Sequence, residues 1–138
     1  MIDRRVSDHL RRCFYSLSRI ATGSAMTCLT GVRYFDMPDL HRMGGVLLAS
    51  NHQSFLDPVL VGVGLERPIH YLARKSLFDP PVFGTLIRVL GSHPVRRGTV
   101  DSSALRTSLK LLRNDKALLL FPEGTRTTDG SVGRMRTG

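Results

Sequence analysis

Val46-Leu47-Leu48-Ala49-Ser50 is a continuous apolar run entered from Gly44-Gly45 and left through Asn51-His52. An unbroken apolar run of this length, bounded by turn residues, reads as a strand buried on both faces, the kind that builds parallel sheets. Ala117-Leu118-Leu119-Leu120-Phe121 repeats the pattern and leaves through Pro122-Glu123-Gly124. Between the two, residues 58–65 read as a helix and 69–73 as a strand. Residues 82–90 read as a short apolar helix, set after Pro80-Pro81 and closed by Gly91, and 92–95 as a short strand. Residues 102–114 read as a helix in which Leu105, Leu109 and Leu112 share a face, with Asp101 or Ser102 capping its start and Asn114 at its end. Residues 32–36 read as a first strand or a lead-in. Apolar strands alternating with helices predict an α/β fold, a largely parallel sheet with helices on both faces.

In such sheets, sites gather at the carboxyl ends of the strands. Asn51-His52 leaves the first apolar run directly, and Pro122-Glu123-Gly124 leaves the last. Both segments are therefore expected at one end of the sheet, where their loops can converge. In the first, His52 lies five positions before Asp57. An imidazole accepts a proton near neutral pH, and a nearby carboxylate fixes its tautomer and stabilises the imidazolium. On one regular helix the two side chains would point about 140° apart. The pair therefore needs a loop-to-helix transition, either Asp57 as N-cap before Pro58 or a capping box of Ser54 with Asp57. Taken alone, the segment reads more readily as a helix cap beside a loop histidine.

The second segment runs Phe121-Pro122-Glu123-Gly124-Thr125-Arg126. Gly124 permits close backbone approach. Arg126 suits a bidentate phosphate contact and Thr125 adds a hydroxyl. Glu123 is placed to accept from a substrate hydroxyl or to brace Arg126. Alone, this too reads as an ordinary turn. The chain has no GxSxG elbow, HExxH, dense Cys/His cluster, P-loop or GxGxxG. No metal is implied. The remaining chemistry is a base acting on a hydroxyl that the substrate supplies, with no covalent intermediate.

Of 138 residues, 41% are apolar, which suits one domain with a real core, and the net charge is +9. Of the 20 basic residues, 17 are arginine. Such a balance suits an anionic partner or simply a basic surface. Residues 3–21 read as a basic amphipathic helix whose stripe is Val6, Leu10, Cys13, Phe14, Leu17 and Ala21, suited equally to a lipid interface or to the domain core. Residues 22–30 are rich in small residues and ambiguous. Cys13 and Cys28 make no disulfide framework and are expected as buried thiols in a reducing compartment. No run approaches the roughly 18 apolar residues of a spanning helix, and the start lacks a signal-peptide segment. The location expected is cytoplasmic, with peripheral contact to a membrane.

Asn51-His52-(four residues)-Asp57 resembles the NHx₄D motif of the glycerolipid acyltransferases, the 1-acylglycerol-3-phosphate acyltransferase group. Gly91 to Arg97 resembles their second block and Phe121 to Arg126 their FPEGTR block. Lys75-Ser76-Leu77-Phe78 and the segment from Phe83-Gly84 to Leu90-Gly91 resemble their linking region. The resemblance spans roughly residues 45–138, and three ordered motifs reverse the readings that each supports alone. It implies transfer of a fatty acyl group from acyl-coenzyme A or acyl carrier protein, as co-substrate and without a cofactor, to a hydroxyl of lysophosphatidate or a related lysophospholipid. His52 is then the general base, Asp57 its orienting partner, and Arg97, Glu123, Gly124, Thr125 and Arg126 bind the glycerol phosphate. The family continues past FPEGTR with a further strand. Here the chain ends at Gly138, so the resemblance implies a missing C-terminal part and a sheet with an exposed edge. The expected organisation is an interfacial helical segment over 1–30 and an acyltransferase domain over 31–138. The competing reading is a non-catalytic basic module binding anionic membranes or nucleic acid. With no Trp and three Tyr, it offers little for base stacking, and no nucleic-acid partner is expected.

Overall fold

A computed structural model of the chain describes residues 4–40, 42–96 and 102–135. Arg97, Asp101 and residues 136–138 lie outside the described residues, as do the side chains before Cys13. Four strands, β1 (Val46–Ala49), β2 (Ile69–Arg74), β3 (Ser92–Val95) and β4 (Ala117–Leu120), form one parallel sheet in the order β1-β4-β2-β3. Among the described residues, four α-helices complete an α/β architecture: α1 (Arg4–Thr30), α2 (Asp57–Gly64), α3 (Pro81–Val89) and α4 (Ser102–Arg113). A single 3-10 turn, Lys75–Phe78, joins β2 to α3.

The apolar run of β4 explains its inner place in the sheet, whereas β1, expected to be buried on both faces, is an edge strand that leaves Leu47 54% exposed. Ala117, Leu118 and Leu119 are all at most 1% exposed, so β4 is covered on both faces. On one face Ala117 pairs with Val46 and Ile69, and Leu119 with Leu48 and Tyr71. Leu40 and Leu65 close over that face to form the core. Strand alternation turns Leu118 to the other side. The most polar strand, β3, lies at an edge and holds Pro94, whose missing N–H is tolerated there.

The first helix is longer than its apolar spacing suggests, running 27 residues to Thr30. The small residues that obscured its end are where it meets α2: a Cβ at Gly23 would lie 2.8 Å from Val63, and Arg19 donates to the Val63 carbonyl at 3.2 Å. Gly31, at φ 66°, ends the helix, its N–H donating to Thr27 at 2.9 Å. From Cys13 onward the apolar stripe does not face the core. Cys13, Phe14, Leu17 and Ala21 are exposed, whereas Tyr15, Ser18, Arg19, Thr22 and Met26 turn inward. Among the described residues, no helix is long and apolar enough to cross a membrane.

Two local expectations are narrowed or corrected. Residues 32–36 are a lead-in, the second of the two readings, and not a strand: Tyr34 donates its hydroxyl to the Leu60 carbonyl at 3.0 Å, and Asp36 adopts φ 49°. Cys13 and Cys28 are exposed, because both lie on the outward side of α1. The leucine face of α4 is only partly covered, with Leu105 and Leu109 still exposed. Leu112 approaches β1 through its backbone, where Gly45 leaves no room for a side chain.

Candidate active site

Parallel pairing of β1 with β4 brings the two charged segments together, although they are some 70 residues apart in sequence. Ser50 continues the ladder, donating to Leu120 at 3.1 Å. Beyond it the two loops are joined. The His52 N–H donates to Glu123 Oε2 at 3.4 Å, and the Thr127 N–H donates to the His52 carbonyl at 2.9 Å. Gln53 Nε2 reaches the Gly130 carbonyl at 2.9 Å. Glu123 is 3% exposed, and its second carboxylate oxygen accepts from Gly133 N–H at 3.2 Å. A buried carboxylate holding two backbone amides ties three chain segments into one floor. Gly124, at φ 67°, makes the turn that begins this loop, donating to the Phe121 carbonyl at 3.0 Å.

On that floor His52 Nδ1 lies 2.9 Å from Asp57 Oδ2, with side chains 12% and 18% exposed. The same Asp57 oxygen accepts from the Gln53 and Ser54 amides at 2.7 and 2.8 Å. Ser54 Oγ accepts from the Leu56 N–H at 3.1 Å, two residues on, so only the Asp57-to-Ser54 half of a capping box forms, and the N-cap position, Leu56, has no side-chain cap. Asp57 begins α2 as its first residue, and Pro58 follows where an N–H has no helical acceptor. Burial alone would raise the Asp57 pKa. The Ser54 amide, the His52 ring and the Gln53 amide together outweigh burial and hold the carboxyl below its usual range. A carboxylate at Nδ1 assigns the ring proton there and leaves the lone pair on Nε2. The imidazole is also stacked on Phe121, centroids 4.1 Å apart and planes inclined by 22°.

Arg126 is exposed, its guanidinium 3.5 Å from the centroid of the Phe55 ring. The Glu123 oxygens accept from backbone amides, so this carboxylate braces the loops. Thr125 and Gly124 are exposed beside Arg126. The structure thus brings together His52, Asp57, Glu123, Gly124, Thr125 and Arg126, while Arg97 lies outside the described residues. Sequence reading missed Phe121 and Phe55 as partners of the ring and the guanidinium. The available signal for Phe121 was parity, since it follows Ala117 and Leu119 onto the core face. Two depressions flank Asn51, of ≈ 150 and ≈ 90 Å³. Both fall below the roughly 300–1,000 Å³ of ordinary ligand pockets.

A parallel α/β sheet with a histidine–carboxylate pair and an exposed arginine on loops at its carboxyl end has the geometry that acid–base chemistry requires. The family model described as Acyltransferase matches residues 31–138, and the chain belongs to that family. It is 33% identical over 100 residues to 1-acyl-sn-glycerol-3-phosphate acyltransferase of Bacillus subtilis (strain 168), covering 72% of this chain and 50% of that protein. It is 36% identical over 107 residues to lyso-ornithine lipid O-acyltransferase of Brucella abortus (strain 2308), covering 75% of this chain and 38% of that protein. The crystal structure of the 1-acyl-sn-glycerophosphate (LPA) acyltransferase PlsC from Thermotoga maritima superposes with a TM-score of 0.72 at 24% identity. That superposition covers 99% of this chain and 54% of that one, and shows the shared fold. The chain thus spans about half the length, or less, of these relatives.

Proposed function

We propose that the chain supplies the acid–base centre of an O-acyltransferase that esterifies lysophosphatidate, or a related lysophospholipid, from acyl-coenzyme A or acyl carrier protein. The observation that carries this reading is the 2.9 Å contact between His52 Nδ1 and Asp57 Oδ2, on a loop bonded to the turn that bears Arg126. His52 Nε2 takes the proton of the acceptor hydroxyl as its oxygen attacks the thioester carbonyl. The new ester C–O bond forms, the C–S bond breaks, and the imidazolium returns its proton to the departing thiolate. Asp57 orients the ring and stabilises its charged form. The acceptor phosphate is assigned to Arg97 and to the turn of Gly124, Thr125 and Arg126, with Glu123 acting through the loops it joins. No cofactor enters the step. The relatives' names and family membership support the reaction class. The outward apolar stripe of α1 supports peripheral attachment of residues 1–30 to the cytoplasmic face of a membrane.

The test is acyl transfer to lysophosphatidate by the chain and by His52→Ala. Loss of the general base should lower turnover by about 10²–10⁴. Turnover unchanged in His52→Ala would remove His52 from the chemistry, and no transfer by the unsubstituted chain would remove the enzymatic reading of this chain.

A further inference from the structure

The short helix α3 is amphipathic in the inverted sense. Its inward side is Gly84, which is buried and so close to the Phe78 backbone that a Cβ there would overlap the Phe78 carbonyl. Its outward side is apolar: Val82, Leu86 and Val89 fall within about 60° of one another on the helix circumference, with Phe83 beside them. Val82 is 83% exposed, Phe83, Leu86 and Val89 are about half exposed, and Leu77 on the preceding turn is 38% exposed. A ridge of five exposed apolar side chains on two adjacent short elements is unusual for a face turned to water.

Charge says what kind of surface fits it. Arg74 at the end of β2, Lys75 on the turn and Arg88 on α3 are exposed, and the Arg88 guanidinium lies over the Phe78 ring at 4.7 Å. Between Arg74 and Arg96 the sequence has one acid, Asp79, and the whole chain carries +9. Apolar side chains edged by cations match a bilayer with anionic headgroups, the former entering the acyl boundary and the latter staying at headgroup level. Position agrees. The ridge begins on the turn that leaves the carboxyl end of β2, the same end of the sheet as His52 and Glu123. Phe55, 72% exposed beneath Arg126, adds the same pairing of ring and cation at that end.

We propose that the outward ridge of Leu77, Val82, Phe83, Leu86 and Val89 seats on an anionic lipid surface, a contact separate from α1 that turns the carboxyl end of the sheet toward the bilayer. The proposal does not depend on the acyl-transfer reading, and its test involves no turnover. The chain has no tryptophan, so Phe83→Trp makes the ridge its own reporter. With vesicles of equal parts phosphatidylcholine and phosphatidylglycerol, its emission should shift to the blue and be quenched by brominated acyl chains. Vesicles of phosphatidylcholine alone should give a weaker effect. Adding Val82→Glu and Leu86→Glu, both at exposed positions, should lower vesicle affinity about tenfold or more. Protein that floats with the vesicles while the emission stays unshifted would assign binding to α1 and overturn the proposal. A blue shift without lipid that grows with protein concentration would overturn it too, naming a second copy of the chain as the occupant.

Discussion

One carboxylate oxygen organises the centre of the site. Asp57 Oδ2 receives His52 Nδ1 and the amides of Gln53 and Ser54, so the turn that enters α2 and the histidine–carboxylate pair share one atom. The three bonds favour the ionised form over burial, so the folded pKa is lower than the unfolded one. The sign follows from linkage. A lowered carboxyl contributes stability that is fully present above the unfolded value of roughly 4 and is lost as pH falls through the folded value. Asp57→Asn should therefore cost about 1–3 kcal/mol near neutral pH, where it removes a charged acceptor. That gap should narrow in urea unfolding repeated at about pH 3. A gap that stays constant between the two pH values would mean that the charge on Asp57 does not stabilise the fold. The pair was legible because its members are five residues apart. The Phe121 stack and the Glu123 bridge were not, because both depend on β1 lying against β4.

Among the elements, strands were easier to read than the faces of helices. The apolar runs fixed β1 and β4 to within a residue or two, although only β4 is buried on both faces and β1 leaves Leu47 exposed at an edge. Helical stripes left the choice open: α1 and α3 turn apolar residues outward, and periodicity records that a stripe exists without saying what covers it. Small residues were the better guide to packing, with Gly23 against Val63 and Gly84 against Phe78. Gly84→Ala tests that statement with two opposed magnitudes. Alanine in a helix interior gains up to about 1 kcal/mol over glycine. The added Cβ meets the Phe78 carbonyl, which is backbone and cannot rotate aside, and such overpacking costs about 1–3 kcal/mol. The clash should win, so Gly84→Ala should unfold at lower urea concentration with an unchanged slope. A stabilised variant would show that α3 is not seated tightly on the turn.

At the scale of the whole molecule, the sheet order places the least polar strand inside and the proline-bearing one at an edge. Composition could rank the strands for burial. It could not show that the last strand enters between the first two, which depends on how the crossovers pack. That insertion makes β4 the centre of both the core and the site, because its exit positions Phe121 and Glu123 against His52. The consequence for stability is uneven. Leu119 is 1% exposed, pairs with Leu48 and Tyr71, and belongs to the core cluster that includes Leu40 and Leu65. Leu47, on an edge strand, is 54% exposed. Leu119→Ala removes buried methyl groups and leaves a cavity enclosed from both sides, a loss of about 2–5 kcal/mol. Leu47→Ala removes side chain that already meets water and should cost less than about 1 kcal/mol. Against a total of roughly 5–15 kcal/mol for a domain, the first substitution takes a large fraction and the second little. Urea titrations of both variants decide the matter. Equal costs would mean that β4 is not the inner strand, and the joining of the two loops around His52 would lose its structural basis.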